Sequence, residues 1–138
     1  MFKYLRTINN STHPTVIDTF ILTPEDIADS YYIEVGSLVN ISFGKISTDF
    51  KSTNPMYLVI AKSDDGTTAK CMRLFPGMVI EGTLVPGIEL GVIEPGNFLD
   101  VTSDGFGKGT YFSQGNNERF ELIDTGNKKS RIVSAVLL

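Results

Sequence analysis

Residues 56–75 have the sequence MYLVIAKSDDGTTAKCMRLF, and this stretch decides the fold class. Two runs rich in β-favouring residues, 56–61 and 69–75, flank the turn sequence SDDG at residues 63–66. Because Asp-Gly between two such runs is a strong hairpin signal, we predict an antiparallel pair of strands here. Both faces of the first run are apolar, so that strand is predicted to lie in the middle of its sheet.

The same period of two continues along the chain, which is typical of half-buried strands. Residues 78–84 and 88–93 are predicted to be short strands or loop arms. Further strand candidates, with turn residues between them, lie at residues 15–23, 38–43, 98–102, 120–124 and 131–138. The last of these runs is almost wholly apolar and is predicted to be an inner strand. Three Pro-Gly pairs predict turns, because proline holds φ at about −65° and glycine allows positive φ. These pairs lie at residues 76–77, 86–87 and 95–96.

Helical spacing is nearly absent. Only residues 23–26, TPED, resemble a capped helix start, and β-favouring residues return soon afterwards. The sequence therefore predicts an all-β fold, a compact β-sandwich or β-barrel of short antiparallel strands with at most one short helix. Sandwiches and barrels both give alternating strands, so the choice between them stays open.

The first dozen residues differ from the rest of the chain. Four apolar side chains, Phe2, Tyr4, Leu5 and Ile8, precede the polar stretch at residues 9–14. We predict that residues 1–14 form an N-terminal arm and linker, and that residues 15–138 form a single β-domain. Such a tethered apolar segment packs either on its own domain or on a neighbour. We favour the neighbour, which makes the four apolar residues the candidate interface.

Composition limits the classes of partner. Hydrophobic residues make up 41% of the 138 and charged residues 20%, which are values of a globular chain. The net charge is −4 and the basic residues are scattered, which argues against nucleic acid as a partner. No run approaches the roughly 18 apolar residues that a membrane helix needs. The lone Cys71 predicts a buried thiol, and without a signal-peptide pattern we expect synthesis in a reducing cytosol.

The sequence offers no catalytic set. His13 is the only histidine and lies in the polar linker, so no base is available beside a nucleophile. One His and one Cys cannot supply a zinc site. The glycine-rich residues 105–109 lack the P-loop pattern. We therefore predict a protein that is not an enzyme and has no metal or cofactor, although oxygen ligation of calcium stays open, with no spacing that matches an EF-hand loop. Paired carboxylates for glycoside hydrolysis are not excluded by counting, since Glu81, Glu89, Glu94 and Glu121 lie in β-like segments.

Three segments carry a family resemblance: FPGMVIEG at 75–82, PGIELGV at 86–92 and GNFLDVTSDG at 96–105. In style and order they resemble the head-decoration, or capsid cement, proteins of tailed bacteriophages, and the likeness spans residues 33–138. The resemblance implies a non-enzymatic virion protein that binds the outer surface of an assembled capsid, often as a trimer. Its partner is then the major capsid protein, and residues 1–12 correspond to the arm of the family. The chain departs from the family in lacking a long arm rich in Ala, Gly and Thr.

Three hypotheses remain. The first is capsid decoration. The second is a trimeric β-module of a phage tail, baseplate or head fibre, which a lower copy number per particle distinguishes. The third is a small carbohydrate-binding or hydrolytic β-domain that uses the acidic strands, which glycan binding or a clustered pair of carboxylates distinguishes.

Overall fold

The computed structural model describes residues 1–8, 15–22, 33–47, 50–88, 91–103, 110–126 and 130–138. Within these ranges the chain is all-β and compact, as predicted. Its strands are β1 (Lys3–Thr7), β2 (Ile17–Ile21), β3 (Leu38–Ser42), β4 (Lys45–Ser47), β5 (Tyr57–Lys62), β6 (Thr68–Arg73), β7 (Met78–Thr83), β8 (Phe98–Ser103), β9 (Thr110–Ser113), β10 (Phe120–Asp124) and β11 (Ile132–Leu137). The helix start predicted at residues 23–26 lies outside the described residues, as do His13 and residues 104–109.

Strands β2 to β6 form a closed barrel in the order β2-β4-β3-β5-β6. The predicted hairpin is confirmed, because β5 and β6 pair antiparallel around the Asp-Gly turn, where Gly66 has φ of 72°. Strand β5 lies between β3 and β6, which confirms its central position. The barrel interior holds a cluster of apolar side chains, Leu22, Ile33, Val39, Ile46, Val59, Ala69 and Cys71.

The other strands form a six-stranded sheet in the order β1-β7-β11-β10-β8-β9. Strand β11 lies between β7 and β10, as its apolar sequence predicted. A parallel bridge joins Leu84 to Phe112, and the amide of Val85 donates to the carbonyl of Phe112 at 2.8 Å. Strand β9, at one end of this order, therefore curves back to the residues that follow β7. We call this six-stranded sheet the curled sheet.

The closed barrel packs against the curled sheet through alternate side chains of its strands. On β5 and β6, Leu58 and Met72 belong to a core shared with the curled sheet, whereas Val59 and Cys71 belong to the barrel interior. Each fully buried side chain of this kind contributes about 1.5–3 kcal/mol. The architecture is thus a closed barrel packed on the curled sheet. The period of two in the sequence predicted strands but could not specify this arrangement.

Strands β2–β6 and β7–β11 repeat one five-strand topology. In each unit the first strand pairs antiparallel with the fifth and meets the third in parallel. The second strand pairs antiparallel with both the third and the fourth, and the fourth pairs with the fifth. Five pairings of identical sense make the two units internal repeats of each other.

The register of the two units also agrees. Residues 33–41 are IEVGSLVNI and residues 93–101 are IEPGNFLDV, with three identities, and each segment leads into the second strand of its unit. Gly36 and Gly96 have φ of 95° and 94°. Their amides donate, each at 2.8 Å, to the third residue of the fourth strand, which is Val59 or Leu122.

The Pro-Gly pairs form turns as expected. Gly77, Gly87 and Gly96 have φ of 93°, 100° and 94°, a region that L-residues rarely enter. The amides of Met78 and Asn97 donate back across two of these turns to the carbonyls of Phe75 and Glu94. The first of these turns precedes β7, and the other two lie between β7 and β8.

The predicted N-terminal arm is not confirmed. Residues 3–7 form β1, which pairs antiparallel with β7 and carries a bulge between Tyr4 and Arg6. The segment therefore supplies an edge strand to the chain's own curled sheet. Its backbone groups gain partners there, and the side chain of Phe2, just before β1, is buried.

Candidate functional site

Phe2 was predicted as an interface anchor, and the structure buries it in the chain's own core. Its side chain is 4% exposed, and its ring packs edge-to-face on Phe112 with centroids 4.9 Å apart. Gly82 lies directly under the ring, where any Cβ would clash with it. The amide of Phe2 donates to the carbonyl of Gly36 at 2.7 Å. In this conformation Phe2 cannot anchor the chain to a neighbour.

The other three predicted residues divide between core and surface. Tyr4 is half-buried against the core, and its hydroxyl lies 2.7 Å from that of Thr7. Ile8 is half-buried, and its amide donates to the carbonyl of Gly77 at 2.8 Å. Leu5, in the bulge of β1, is exposed. Of the four, Leu5 is the one that the structure leaves most open to a partner.

The tip of the β3–β4 hairpin is the most unusual surface feature. Phe43 has φ of 52° and Gly44 has φ of 75°, and the flanking Ser42 and Lys45 pair with each other. Positive φ at both central residues defines a type I′ turn, which favours Asn-Gly. A side chain in the left-handed region costs about 1–2 kcal/mol. The Phe43 ring is nevertheless fully exposed, at 103%.

Two isoleucines of β2 extend this apolar surface. Ile21 is 68% exposed and pairs in parallel with Lys45, the second residue after Phe43. Ile17, four residues earlier on the same outward face of β2, is 47% exposed. Phe20 points the other way, toward the barrel interior.

The sequence repeats the hairpin tip in the second unit. The tripeptide Phe-Gly-Lys occurs at residues 43–45, where Phe43 and Gly44 connect β3 to β4 and Lys45 begins β4. It occurs again at residues 106–108, after β8 and before β9, in a segment that the structure does not describe.

A polar groove of about 230 Å³ adjoins the hairpin. Its floor is Asn40, whose side-chain amide donates to the carbonyl of Pro55 at 3.0 Å. The side-chain oxygen of Asn40 accepts from the amide of Lys51 at 2.6 Å. The groove is lined by Asn40, Ile41, Ser42, Ser47, Lys51, Asn54 and Pro55. Through these two hydrogen bonds, Asn40 holds the loop before β5 against β3 and stiffens the base of the β3–β4 hairpin.

Asp100 has the equivalent position in the curled sheet. Asn40 and Asp100 are each the third residue of the second strand of their unit. One oxygen of Asp100 accepts from the amide of Val101 at 2.8 Å, and the other accepts from the amide and side chain of Asn117, both at 3.3 Å. Each unit therefore ties down the loop before its fourth strand with one buried polar side chain.

Reactive groups in the described chain are few. Cys71 is fully buried, and this desolvation raises the pKa of its thiol to about 12, so the thiol stays protonated. Across the described ranges, no three His, Cys, Asp or Glu side chains lie close enough to hold a metal ion.

Of the carboxylates considered for glycoside hydrolysis, the two on described strands, Glu81 and Glu121, do not form a close pair. Glu81 on β7 pairs with Ser134, and Glu121 on β10 pairs with Val136, so the whole of β11 separates them. Two strand spacings amount to roughly 10 Å. Glu94 is exposed in a turn, and Glu89 lies outside the described residues.

The chain matches no protein-family model, no curated protein and no solved structure. In the part of the chain that the structure describes, no helix has the length and apolar character needed to cross a bilayer.

Proposed function

We propose that the chain is a non-enzymatic structural protein of a tailed-bacteriophage virion, and that it binds the outer surface of the assembled capsid as a homotrimer. Its partner is the major capsid protein, which it meets after synthesis in the host cytoplasm. The observation that carries this proposal is Phe43, fully exposed in a left-handed conformation at a hairpin tip. The resemblance of residues 33–138 to decoration proteins supplies the class of partner.

The free-energy balance at Phe43 favours a binding role. Its backbone conformation costs about 1–2 kcal/mol in the free protein, and the exposed ring gains no compensating burial there. Burying a Phe side chain in a pocket of a partner contributes about 1.5–3 kcal/mol. Phe43 therefore stabilises a complex with a partner and does not stabilise the free, folded protein.

The surroundings of Phe43 suit a contact with a large surface. Ile21 and Ile17 extend the apolar area along the barrel edge, and the bonds of Asn40 hold the hairpin base in place. Three such hairpins in a trimer engage one shell together, so modest individual contacts add through avidity. A deep cleft is not needed for this mode of attachment.

Cosedimentation with shells tests the proposal. Shells of the encoding phage, purified without this protein, are mixed with the wild-type chain and with the variants Phe43→Asn and Phe98→Thr. Phe43→Asn creates the Asn-Gly pair that a type I′ turn prefers, so it should raise the unfolding free energy by about 1 kcal/mol. It should also weaken shell binding by about tenfold or more.

Phe98 provides the matched control, since it is a 46% exposed Phe on the curled sheet. Phe98→Thr keeps a strand-favouring residue there and should leave shell binding unchanged. Full binding by Phe43→Asn, or absence of wild-type binding to any shell, contradicts the proposal. A low copy number per particle points instead to a tail or fibre part, and a monomeric mass removes the trimer.

A further inference from the structure

The two repeated units differ at the free edge of their first strand. In the curled sheet, β1 pairs with β7 on the side opposite β11. In the closed barrel, β2 pairs with β6 on one side, and on the other it meets β4 at Ile21. Among the described residues, no strand pairs with β2 at Ile17–Phe20 on that second side. Within the described ranges, the edge that β1 covers in one unit therefore carries no strand in the other.

The hydrogen bonds of β2 show which backbone groups point outward. The carbonyl of Val16 accepts from Arg73 and the amide of Leu22 donates to Thr67, so the even-numbered residues face β6. In an antiparallel strand the alternate residues then point away, which here are Ile17 and Thr19. The amide of Thr19 donates to the carboxylate of its own neighbour, Asp18, at 2.9 Å.

The equivalent residue of the curled sheet shows what fits such an edge. The two first strands align through Leu22 and Leu84, whose amides both donate to the residue just before the fifth strand. Thr19 then corresponds to Glu81, and Glu81 pairs with Lys3 of β1. The occupant in the curled sheet is a five-residue antiparallel strand with a basic residue opposite this position.

We propose that the β2 edge at Ile17–Thr19 is a strand-addition site that takes an extended antiparallel segment of the capsid protein, with a basic residue near Asp18. This inference rests on the proposed function for the identity of the partner. Main-chain hydrogen bonds to Ile17 and Thr19 provide affinity, and for this the Thr19 amide exchanges its bond to the Asp18 carboxylate for one to the added strand. The released carboxylate is exposed and selects the basic segment. The site adjoins Ile21 and Phe43, so one shell surface contacts both.

Charge favours a different protein over a second copy of this chain. Two β2 edges that pair antiparallel around their centre bring Asp18 opposite Asp18. Like charges directly opposite each other in a sheet are destabilising, and charged residues on edges commonly prevent self-pairing. Asp18 therefore disfavours a homodimer through this edge while it accepts a basic segment.

A pair of substitutions at Thr19 tests the site. Thr19→Pro removes the outward amide and leaves the ladder to β6, whereas Thr19→Val keeps the amide and the branched shape. In cosedimentation with undecorated shells, Thr19→Pro should bind about tenfold more weakly, while Thr19→Val should stay within about twofold of wild type. Asp18→Lys, a surface change that does not touch the ladder, should also bind about tenfold more weakly.

A peptide provides a readout that does not need shells. A synthetic peptide with the sequence of residues 1–8, which contains β1, is titrated to millimolar concentration against the full chain. The amide resonances of Ile17 and Thr19 should shift, and the shift should be lost in Thr19→Pro and Asp18→Lys. Circular dichroism shows that each variant is folded.

The outcomes separate the two proposals. Wild-type binding to shells together with full binding by Thr19→Pro and Asp18→Lys overturns the strand-addition site and leaves the capsid function standing. Absence of wild-type shell binding overturns the capsid function, and the peptide titration then decides the edge by itself. No peptide shift in that case overturns the site as well. Concentration-dependent dimers that Thr19→Pro abolishes show that the occupant is a second copy, which overturns the assignment to the capsid protein.

Discussion

The closed barrel and the curled sheet fill the same position with aromatic rings from different sources. In the barrel, the first strand carries Phe20, whose ring packs on Tyr57 with centroids 6.0 Å apart. In the curled sheet, the residue at that point is Gly82, and the ring comes from Phe2, seated on Phe112. At this position of the shared topology, the aromatic ring belongs to the first strand itself in the barrel. In the curled sheet it belongs to the residue that precedes the added strand β1.

This difference explains why β1 belongs to the curled sheet. Gly82 leaves a space that only an outside side chain can fill, and β1 brings Phe2 into it together with backbone partners for β7. In the barrel, the ring of Phe20 itself packs against the interior cluster at the equivalent position. Strand β7 therefore takes an edge strand from its own chain, whereas β2 has none at Ile17–Phe20 among the described residues.

The largest effect is expected from Phe2→Ala. Removing a buried aromatic side chain costs about 3–5 kcal/mol of unfolding free energy, because burial is lost and a cavity remains. Urea denaturation monitored by circular dichroism measures it. Leu5→Ala is the control, since Leu5 lies on the same strand but is exposed, and it should change stability by no more than about 0.5 kcal/mol. Equal effects of the two substitutions contradict a structural role for Phe2.

Gly82→Ala sharpens the comparison further. A Cβ at this position meets the ring of Phe2 and lies 2.9 Å from Cε2 of Phe112, so Phe2 must leave its site. We expect a loss of about 1–3 kcal/mol in the wild-type background. In the Phe2→Ala background the space is already empty, and the same change should cost less than about 1 kcal/mol. Strict additivity in this double-mutant cycle would show that the glycine does not serve Phe2.

Asn40→Ala and Asp100→Ala test whether both units stabilise the loop before their fourth strand by hydrogen bonds from the equivalent buried side chain. Each substitution removes at least two hydrogen bonds, most of them to partly buried groups, and each bond contributes about 0.5–1.5 kcal/mol. The amide of Lys51 and that of Asn117 lose their acceptors, respectively. Denaturation midpoints measure the effect, and Ser42→Ala on the exposed end of β3 is the control. A neutral result at one site alone shows that the equivalence is only geometric.

The sequence predicted those parts of the fold that have strong local signals. The Asp-Gly turn fixed the β5–β6 hairpin, the apolar run at residues 131–138 fixed an inner strand, and each Pro-Gly pair gave a turn with positive φ. In each case one or two residues impose the backbone conformation. Strand β4, with three residues, is too short to show a period.

The sequence did not predict what depends on distant contacts. Strand β1 is held by pairing with β7 and by Gly82, a residue eighty positions away from Phe2, so no local pattern distinguishes it from a free arm. Phe-Gly at residues 43–44 is not a preferred turn pair, so the exposed ring gave no signal. The internal repeat did leave a signal in residues 33–41 and 93–101, but three identities alone are easily overlooked.

The smallest effect concerns the turns between the fourth and fifth strands. In the barrel, Asp65 accepts from the hydroxyls of Thr67 and Ser63, both at 2.7 Å, and from the amide of Thr67 at 3.0 Å. The described contacts of the matching turn in the curled sheet include one such bond, from the amide of Gly126 to Asp124 at 2.9 Å. The bonds from Thr67 and then Ser63 lower the pKa of Asp65 from 3.8 to about 2.

Acid should therefore weaken the barrel hairpin as the pH falls from about 3.8 toward about 2. A carboxyl whose pKa is lower in the folded state stabilises the fold above its unfolded pKa of 3.8, and this contribution disappears as the pH falls toward about 2. Carbon-detected NMR should show the Asp65 carboxyl titrating near 2, with shifts at Thr67 in the same range. Asp65→Asn should remove the pH dependence of hairpin stability in this window. An unshifted titration near 3.8 means that the hydroxyls of Ser63 and Thr67 do not hold the carboxylate in solution.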